Sequence, residues 1–282
     1  MKSTALCLVL LLLCPSIQAQ EGESGRSRDG VVEMTDAAGE AEFKKLHELK
    51  RGAKPALSGE MIDIPGGGKG YLCMPKGAKA PLPAVLVIHE WWGLNDHVKH
   101  WADRLAGEGY AALAVDMYGG KVAEQSGRAL ELMKAANADM QSQEKLMAAG
   151  LAFLRNDARI KAKKTATIGW CFGGGRSLQA ALMDEKLDAA VIYYGRLVTK
   201  AEQLKKIKAK LLGIFAVKDR GIPISAVADF ERGLLDAGVH HELHRYDANH
   251  AFANPSSGRY DERCAGDAWK KVRAFLKREL GD

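Results

Sequence analysis

From residue 83 to 247, short continuous apolar runs alternate with stretches whose apolar residues recur every three or four positions. The runs PAVLVIHE (83–90), AALAVDMYGG (111–120), KTATIGWC (164–171), DAAVIYYG (188–195) and KLLGIFAVKD (210–219) predict strands buried on both faces. HHELHRYD (240–247) alternates and predicts one more strand, with His240, His241 and His244 at a surface or edge. The periodic stretches predict helices at 97–110, 174–185, 224–238 and 267–280, and one or two helices across 128–157. Apolar strands alternating with helices predict an α/β protein with a doubly wound, mostly parallel sheet flanked by helices. Ahead of them, EMIDIP (60–65), a turn at Gly66-Gly67-Gly68 and GYLCMP (70–75) read as a β-hairpin.

The first 59 residues follow neither pattern. Lys2, the apolar run ALCLVLLLLC (5–14), Pro15 and the small residue Ala19 have the form of a cleaved signal peptide over 1–19. That run is shorter than the roughly 20 residues of a spanning helix. Residues 20–59 are polar and read as a flexible lead-in, with AEFKKLHELKRG as one short helix. The expected organisation is therefore a leader (1–19), a lead-in (20–59) and one catalytic domain (60–282). Export to a periplasm or to the outside of the cell follows, with no stable membrane insertion after cleavage.

Charge changes this picture little. The net charge is +6, and removal of the leader takes away only Lys2. The densest basic cluster, WKKVRAFLKREL (269–280), places Trp269, Val272, Phe275, Leu276 and Leu280 on one helical stripe. That is a docked amphipathic helix with a solvated basic face, not a nucleic-acid surface. Of five cysteines, Cys73, Cys171 and Cys264 lie beyond the leader, with no C-x-x-C pair to suggest a zinc or thioredoxin-type site. Cys73 and Cys264 could pair in an oxidising compartment, which leaves Cys171 as an odd and reactive thiol.

Chemistry is expected at the carboxyl ends of the strands, where open α/β sheets gather their ligands. His89 and Glu90 end one strand, Asp116 and Tyr118 the next, and Cys171, Asp219 and His250 follow later ones. TIGWCFGGG (167–175) has the Gly-x-nucleophile-x-Gly form of a strand-to-helix elbow, with cysteine where serine is usual. Cys171 alone could be a small buried residue in a glycine turn. The order nucleophile, acid, histidine favours a nucleophile served by His250 as base and Asp219 as its orienting partner. Asp116 reads as a structural or capping residue, while Glu90 could be a plain ion-pair partner. Gly173-Gly174-Gly175 lacks the Lys-Ser/Thr of a phosphate loop.

GWCFGG, IHEWWG, VKDRGIP and NHAFANP together resemble the dienelactone hydrolase family over roughly residues 60 to 280. The resemblance implies an α/β-hydrolase fold and cleavage of a small ester or lactone through a cysteinyl acyl-enzyme, without metal or organic cofactor. It implies roles residue by residue. Cys171 matches the nucleophile, His250 the base and Asp219 its partner, while Glu90 matches a glutamate beside the resting cysteine. Phe172 and Trp91 match the backbone N–H donors of an oxyanion hole, and Tyr118 and Tyr194 match pocket aromatics; Trp92 and Phe252 are further candidates for lining the substrate pocket. One departure concerns the substrate. The family places carboxylate-holding arginines after the D-x-Y segment and a few residues past the histidine. Here those neighbourhoods carry Lys121 and Asn254, and an amide cannot replace a bidentate guanidinium. Arg176, Arg220 and Arg259 are the arginines that could supply charge from elsewhere. The expectation is a hydrolase acting on a small molecule, monomeric, without a nucleic-acid partner. The alternatives are a broad carboxylesterase, a non-hydrolytic small-molecule-binding member of the fold, or a thiol-redox protein. No resolving cysteine lies near Cys171, which counts against the last.

Overall fold

The computed structural model describes residues 56–281. The leader, most of the lead-in and its short helix lie outside the described residues. Eight strands form one sheet in the order β1-β2-β4-β3-β5-β6-β7-β8. The strands are β1 (Glu60–Asp63), β2 (Lys69–Cys73), β3 (Ala84–Ile88), β4 (Ala111–Val115), β5 (Thr165–Trp170), β6 (Ala189–Tyr193), β7 (Lys210–Ala216) and β8 (His241–Tyr246). The expected hairpin is present as β1 and β2, paired antiparallel with Glu60 opposite Leu72. β2 pairs antiparallel with β4, and every pairing from β4 to β8 is parallel. The alternating strand β8 lies at the sheet edge, as its histidines suggested.

The helices are α1 (Asp96–Gly107), α2 (Ser126–Ala138), α3 (Met140–Asn156), α4 (Phe172–Met183), α5 (Ala201–Leu204), α6 (Ile224–Ala237) and α7 (Glu262–Leu280). Side chains alternate across each strand and divide the core in two. Val85, Val87, Ile168 and Val191 pack under α1 and α7, whose Trp101 and Trp269 meet at 5.2 Å between ring centroids. Leu86, Ile88, Ile192 and Phe215 pack under α2, α3, α4 and α6. Burial on both faces is why these strands read as unbroken apolar runs.

The 128–157 stretch divides into two helices at Asp139, whose side chain accepts from Ser142 N–H at the start of α3. The predicted helix at 267–280 begins earlier, at Glu262, capped by Asp261 accepting from Cys264 N–H. Its fifth residue is Gly266, a poor helix former, and docking on the sheet overrides that preference. The short helix α5 had no periodic signal. Cys73 and Cys264 are both free and buried.

Candidate active site

The site begins with a backbone feature. β5 ends at Trp170 and α4 begins at Phe172, which leaves Cys171 alone to turn the chain. Its φ of 54° and ψ of −114° lie where a residue with a Cβ is strained by about 1–3 kcal/mol. Close packing holds it there. Cys171 N–H donates to the Tyr193 carbonyl at 3.0 Å, and the Cys171 carbonyl accepts from Gly175 N–H at 3.2 Å. A Cβ at Gly169 would sit 2.2 Å from the Gly173 carbonyl oxygen, and one at Gly173 would sit 2.1 Å from the Ile88 oxygen. Neither position admits any residue but glycine. Phe172 is the first residue of α4, so its N–H lacks an intrahelical partner and lies at the positive end of the helix. Tyr194 (φ 34°) and Ala251 (φ 65°) repeat the same kind of strain beside Cys171 and His250.

Asp219 follows β7 and His250 follows β8. Asp219 Oδ2 meets His250 Nδ1 at 2.6 Å, while Oδ1 accepts from the N–H groups of Gly221 (2.7 Å) and Ile222 (3.1 Å). Burial opposes the Asp219 carboxylate, but His250 and the two backbone donors hold its pKa below the ordinary value. Burial also opposes a charged His250. The Asp219 hydrogen bond and the adjacent Cys171 sulfur outweigh it and raise the imidazole pKa to about 10.

Glu90 and His89 form the opposite wall, just past β3. Glu90 is buried, at 3% exposure, and burial raises its pKa to about 7 against the lowering influence of His250 and Asn254. Asn254 donates through Nδ2 to Glu90 Oε2, and its Oδ1 accepts from Ser256 N–H at 2.8 Å. The residue at the expected arginine position is thus engaged with Glu90. Glu90 Oε1 has no hydrogen-bond partner. His89 is fully buried, and burial lowers its pKa to about 4, so it is neutral. Its Nε2 accepts from Met117 N–H at 3.1 Å, so Nδ1–H donates to the Glu90 carbonyl at 2.6 Å. This pins the backbone immediately before Trp91. Asp116 builds the neighbouring turn by accepting from the N–H groups of Tyr118 and Gly120, in keeping with a structural role.

Cys171 and His250 together border two cavities. One, of about 960 Å³, is walled by Glu90, Trp91, Trp92 and Asn254, with Arg259 on its rim. The other, of about 800 Å³, is walled by Phe172, Tyr194, Ile222 and Arg176, with Arg196 beside them. Arg220 and Arg259 border a smaller recess of about 450 Å³ with Asp219 and His250. The expected pocket aromatics divide. Trp91, Trp92 and Tyr194 line cavity walls. Tyr118 instead packs edge-on to His89 (4.6 Å), and Phe252 is fully buried between Tyr194 and Tyr246. Lys121 is exposed and borders neither cavity. Sequence reasoning passed over His89 as a backbone anchor and read Asn254 only as a missing arginine, not as a donor to Glu90. A histidine at the end of a buried strand was the available signal for the first; the contact of the second crosses the fold and left no local mark.

Known proteins match this arrangement. The sequence profile described as the dienelactone hydrolase family matches residues 69–280. A Saccharolobus solfataricus protein provisionally named a carboxymethylenebutenolidase is 32% identical over 251 residues, covering 74% of this chain and 93% of that one. Protein usf of Aquifex pyrophilus is also 32% identical, over 79% of this chain and 99% of its own. The crystal structure of a dienelactone hydrolase-like promiscuous phosphotriesterase from metagenomic libraries superposes with a TM-score of 0.73. It is 26% identical and covers 79% of this chain and 98% of that one. The mostly parallel eight-stranded sheet with helices on both faces is thus an α/β-hydrolase fold. With its elbow, its strand-end residues and more than 200 matched positions, the chain belongs to the dienelactone hydrolase family of hydrolases.

Proposed function

We propose that the protein hydrolyses a small ester or lactone through a covalent intermediate on Cys171, with His250 and Asp219 completing a triad. The observation that carries this reading is the 2.6 Å Asp219–His250 contact beside a cysteine on a strained elbow that opens on both cavities. The Cys171 thiolate attacks the carbonyl carbon, and the carbonyl π electrons move onto oxygen. The N–H groups of Phe172 and Trp91 receive that oxyanion. Collapse of the intermediate expels the alkoxide, which takes a proton from the His250 imidazolium and leaves a thioester on Cys171. Neutral His250 then removes a proton from water. The resulting hydroxide attacks the thioester carbonyl, and the acid product and the thiolate are released. Asp219 keeps the imidazole in one tautomer and favours its charged form.

Glu90 serves the resting state in this scheme. A carboxyl group with a pKa near 7 and a free Oε1 can hold a proton close to Cys171 until substrate displaces it. A thiol held in this way resists oxidation in an oxidising compartment, which fits the export implied by residues 1–19. A Glu90→Gln variant with unaltered turnover would rule this role out.

The primary test is hydrolysis of a chromogenic acetate ester and of a dienelactone, with Cys171→Ala alongside. Turnover of either, abolished in the variant, is the expected result. Turnover that survives the loss of Cys171 would overturn the mechanism.

A further inference from the structure

One buried histidine contacts Phe172 and the peptide group of Trp91, the two proposed oxyanion donors. His89, the first residue past β3, is wholly buried. Its ring lies nearly parallel to that of Phe172, with centroids 5.9 Å apart, and meets Tyr118 edge-on at 4.6 Å. A neutral imidazole has one donor and one acceptor. Both are used here: Nε2 accepts from Met117 N–H at 3.1 Å, and Nδ1–H donates to the Glu90 carbonyl at 2.6 Å. Met117 is held from its other side as well, where its carbonyl accepts from buried Gln143 Nε2 at 3.2 Å. Only a ring with a bare Nε2 can accept the Met117 N–H, so the tautomer is fixed at a distance from the reacting atoms.

The bond to Glu90 acts through peptide planarity. The Glu90 carbonyl and the Trp91 N–H belong to one peptide unit, and in a trans peptide the two point in opposite directions. Fixing the carbonyl therefore fixes the direction of the N–H. Gly93 N–H donates to the same carbonyl, but at 3.3 Å, and so closes a turn over Trp91 and Trp92. Beyond that turn the chain is anchored. The Trp92 carbonyl accepts from Ala123 N–H at 2.8 Å. Gly93 packs so closely on Lys121 that a Cβ would sit 2.4 Å from its carbonyl oxygen. Trp91 N–H itself has no acceptor among the described residues, and Trp91 borders the cavity it shares with Cys171. An amide whose direction is fixed and whose proton is free is what a preorganised oxyanion donor requires.

We propose that His89 is the positioning residue of the oxyanion hole: by holding the Glu90 carbonyl, it aims the Trp91 N–H at the carbonyl oxygen of the substrate. It touches no reacting atom. The proposal rests on the hydrolase reading for its use, but the direction of the Trp91 N–H can be read without turnover. Two variants of the full chain isolate the one hydrogen bond. His89→Asn places an amide N–H where Nδ1–H stands, and His89→Leu offers no donor. Both lack an acceptor at the Nε2 position, so any loosening around Met117 is common to the two. His89→Leu should lower kcat for a chromogenic acetate ester by about a hundredfold with KM little changed, the scale of losing one oxyanion donor. His89→Asn should recover most of that loss, to within about tenfold of the parent. The second readout uses isotope-labelled tryptophan, of which the chain has five. The residual dipolar coupling of the Trp91 N–H should match the parent in His89→Asn and change in His89→Leu, while those of Trp101 and Trp170 stay fixed. If the leucine variant does not fold, His89→Met removes the same donor with a more adaptable chain and makes the same comparison. Equal kcat losses in the asparagine and apolar variants, or a Trp91 coupling that neither moves, overturns the proposal. An inactive parent whose Trp91 coupling still follows residue 89 counts against the hydrolase mechanism and leaves the hold of His89 on the Trp91 N–H standing.

Discussion

Two clusters in this protein contain a cysteine, an aspartate, a histidine and a tyrosine, and only one of them opens on the cavities at the strand ends. The first joins Tyr71 and Cys73 on β2 to His100 and Asp103 on α1. Asp103 accepts from the Tyr71 hydroxyl at 2.7 Å and from Ser58 N–H at 3.2 Å, with His100 Nδ1 3.7 Å away. Cys73 is 2% exposed, in regular strand conformation, and borders none of the cavities around His250. Burial and then the Asp103 carboxylate raise its thiol pKa to about 12, which keeps it a neutral, unreactive thiol. The second cluster joins Cys171, Asp219, His250 and Tyr194. Its aspartate bonds the histidine directly, and its cysteine is lifted by a positive φ into open cavities at the strand ends. The same residue types thus sit closed off beneath α1 in one place and open to the cavities in the other. Backbone geometry and access make the difference.

The largest expected contrast is in activity. Cys171→Ala should lower kcat/KM for a chromogenic ester by about a thousandfold or more, while Cys73→Ala should retain it within about twofold. Equal losses would dissolve the comparison. Asp219→Asn against Asp103→Asn sharpens it further. The first should cost on the order of a thousandfold in kcat through loss of imidazole orientation. The second should leave kcat near the parent value and lower the thermal midpoint, because a half-buried acceptor hub loses charge-assisted bonds worth about 1–2 kcal/mol.

A smaller effect concerns pH. The Glu90 pKa rises from an ordinary 4.5 to about 7 on folding. Between those values the folded state binds more protons than the unfolded state, so this group's contribution to stability falls as pH rises. Above about pH 7 the buried carboxylate is ionised at a cost of a few kcal/mol. Glu90→Gln should therefore raise the thermal midpoint at pH 8 and leave it unchanged at pH 4. Thermal unfolding curves at the two pH values check the sign. The gentlest contrast is chemical: iodoacetamide should alkylate Cys171 in the native protein, while Cys73 and Cys264 react only after denaturation. Mass spectrometry of labelled peptides reads this directly.

Much of the architecture was legible because burial on both faces of a central sheet leaves little room for polar residues within a strand, and those of β5, Thr165 and Thr167, are hydrogen-bonded. Hence β3 to β7 stand out as unbroken apolar runs, and the hairpin of β1 and β2 is marked by its glycine turn. The candidate site was legible for a related reason. Past the strand ends the two-faced apolar packing stops, so Glu90, Cys171, Asp219 and His250 stand out as polar interruptions of the pattern. α5 and the first turn of α7 were not legible. One is too short to show a period, and the other is cut off from the periodic stretch by Gly266 and is started by the Asp261 cap.

The sequence by itself determined the alternation of strands and helices, the elbow around Cys171, and the chain order of Cys171, Asp219 and His250. All three are local or depend only on order along the chain. Tertiary structure alone decided which polar residues meet. Across 164 positions Asn254 joins Glu90, Phe252 and Tyr118 fall behind the cavity walls, and Arg176 and Arg196 come to line one cavity. Contacts of that kind depend on strand order and on how closely elements approach. Those are set by packing across the whole sheet, and no short stretch of sequence carries them.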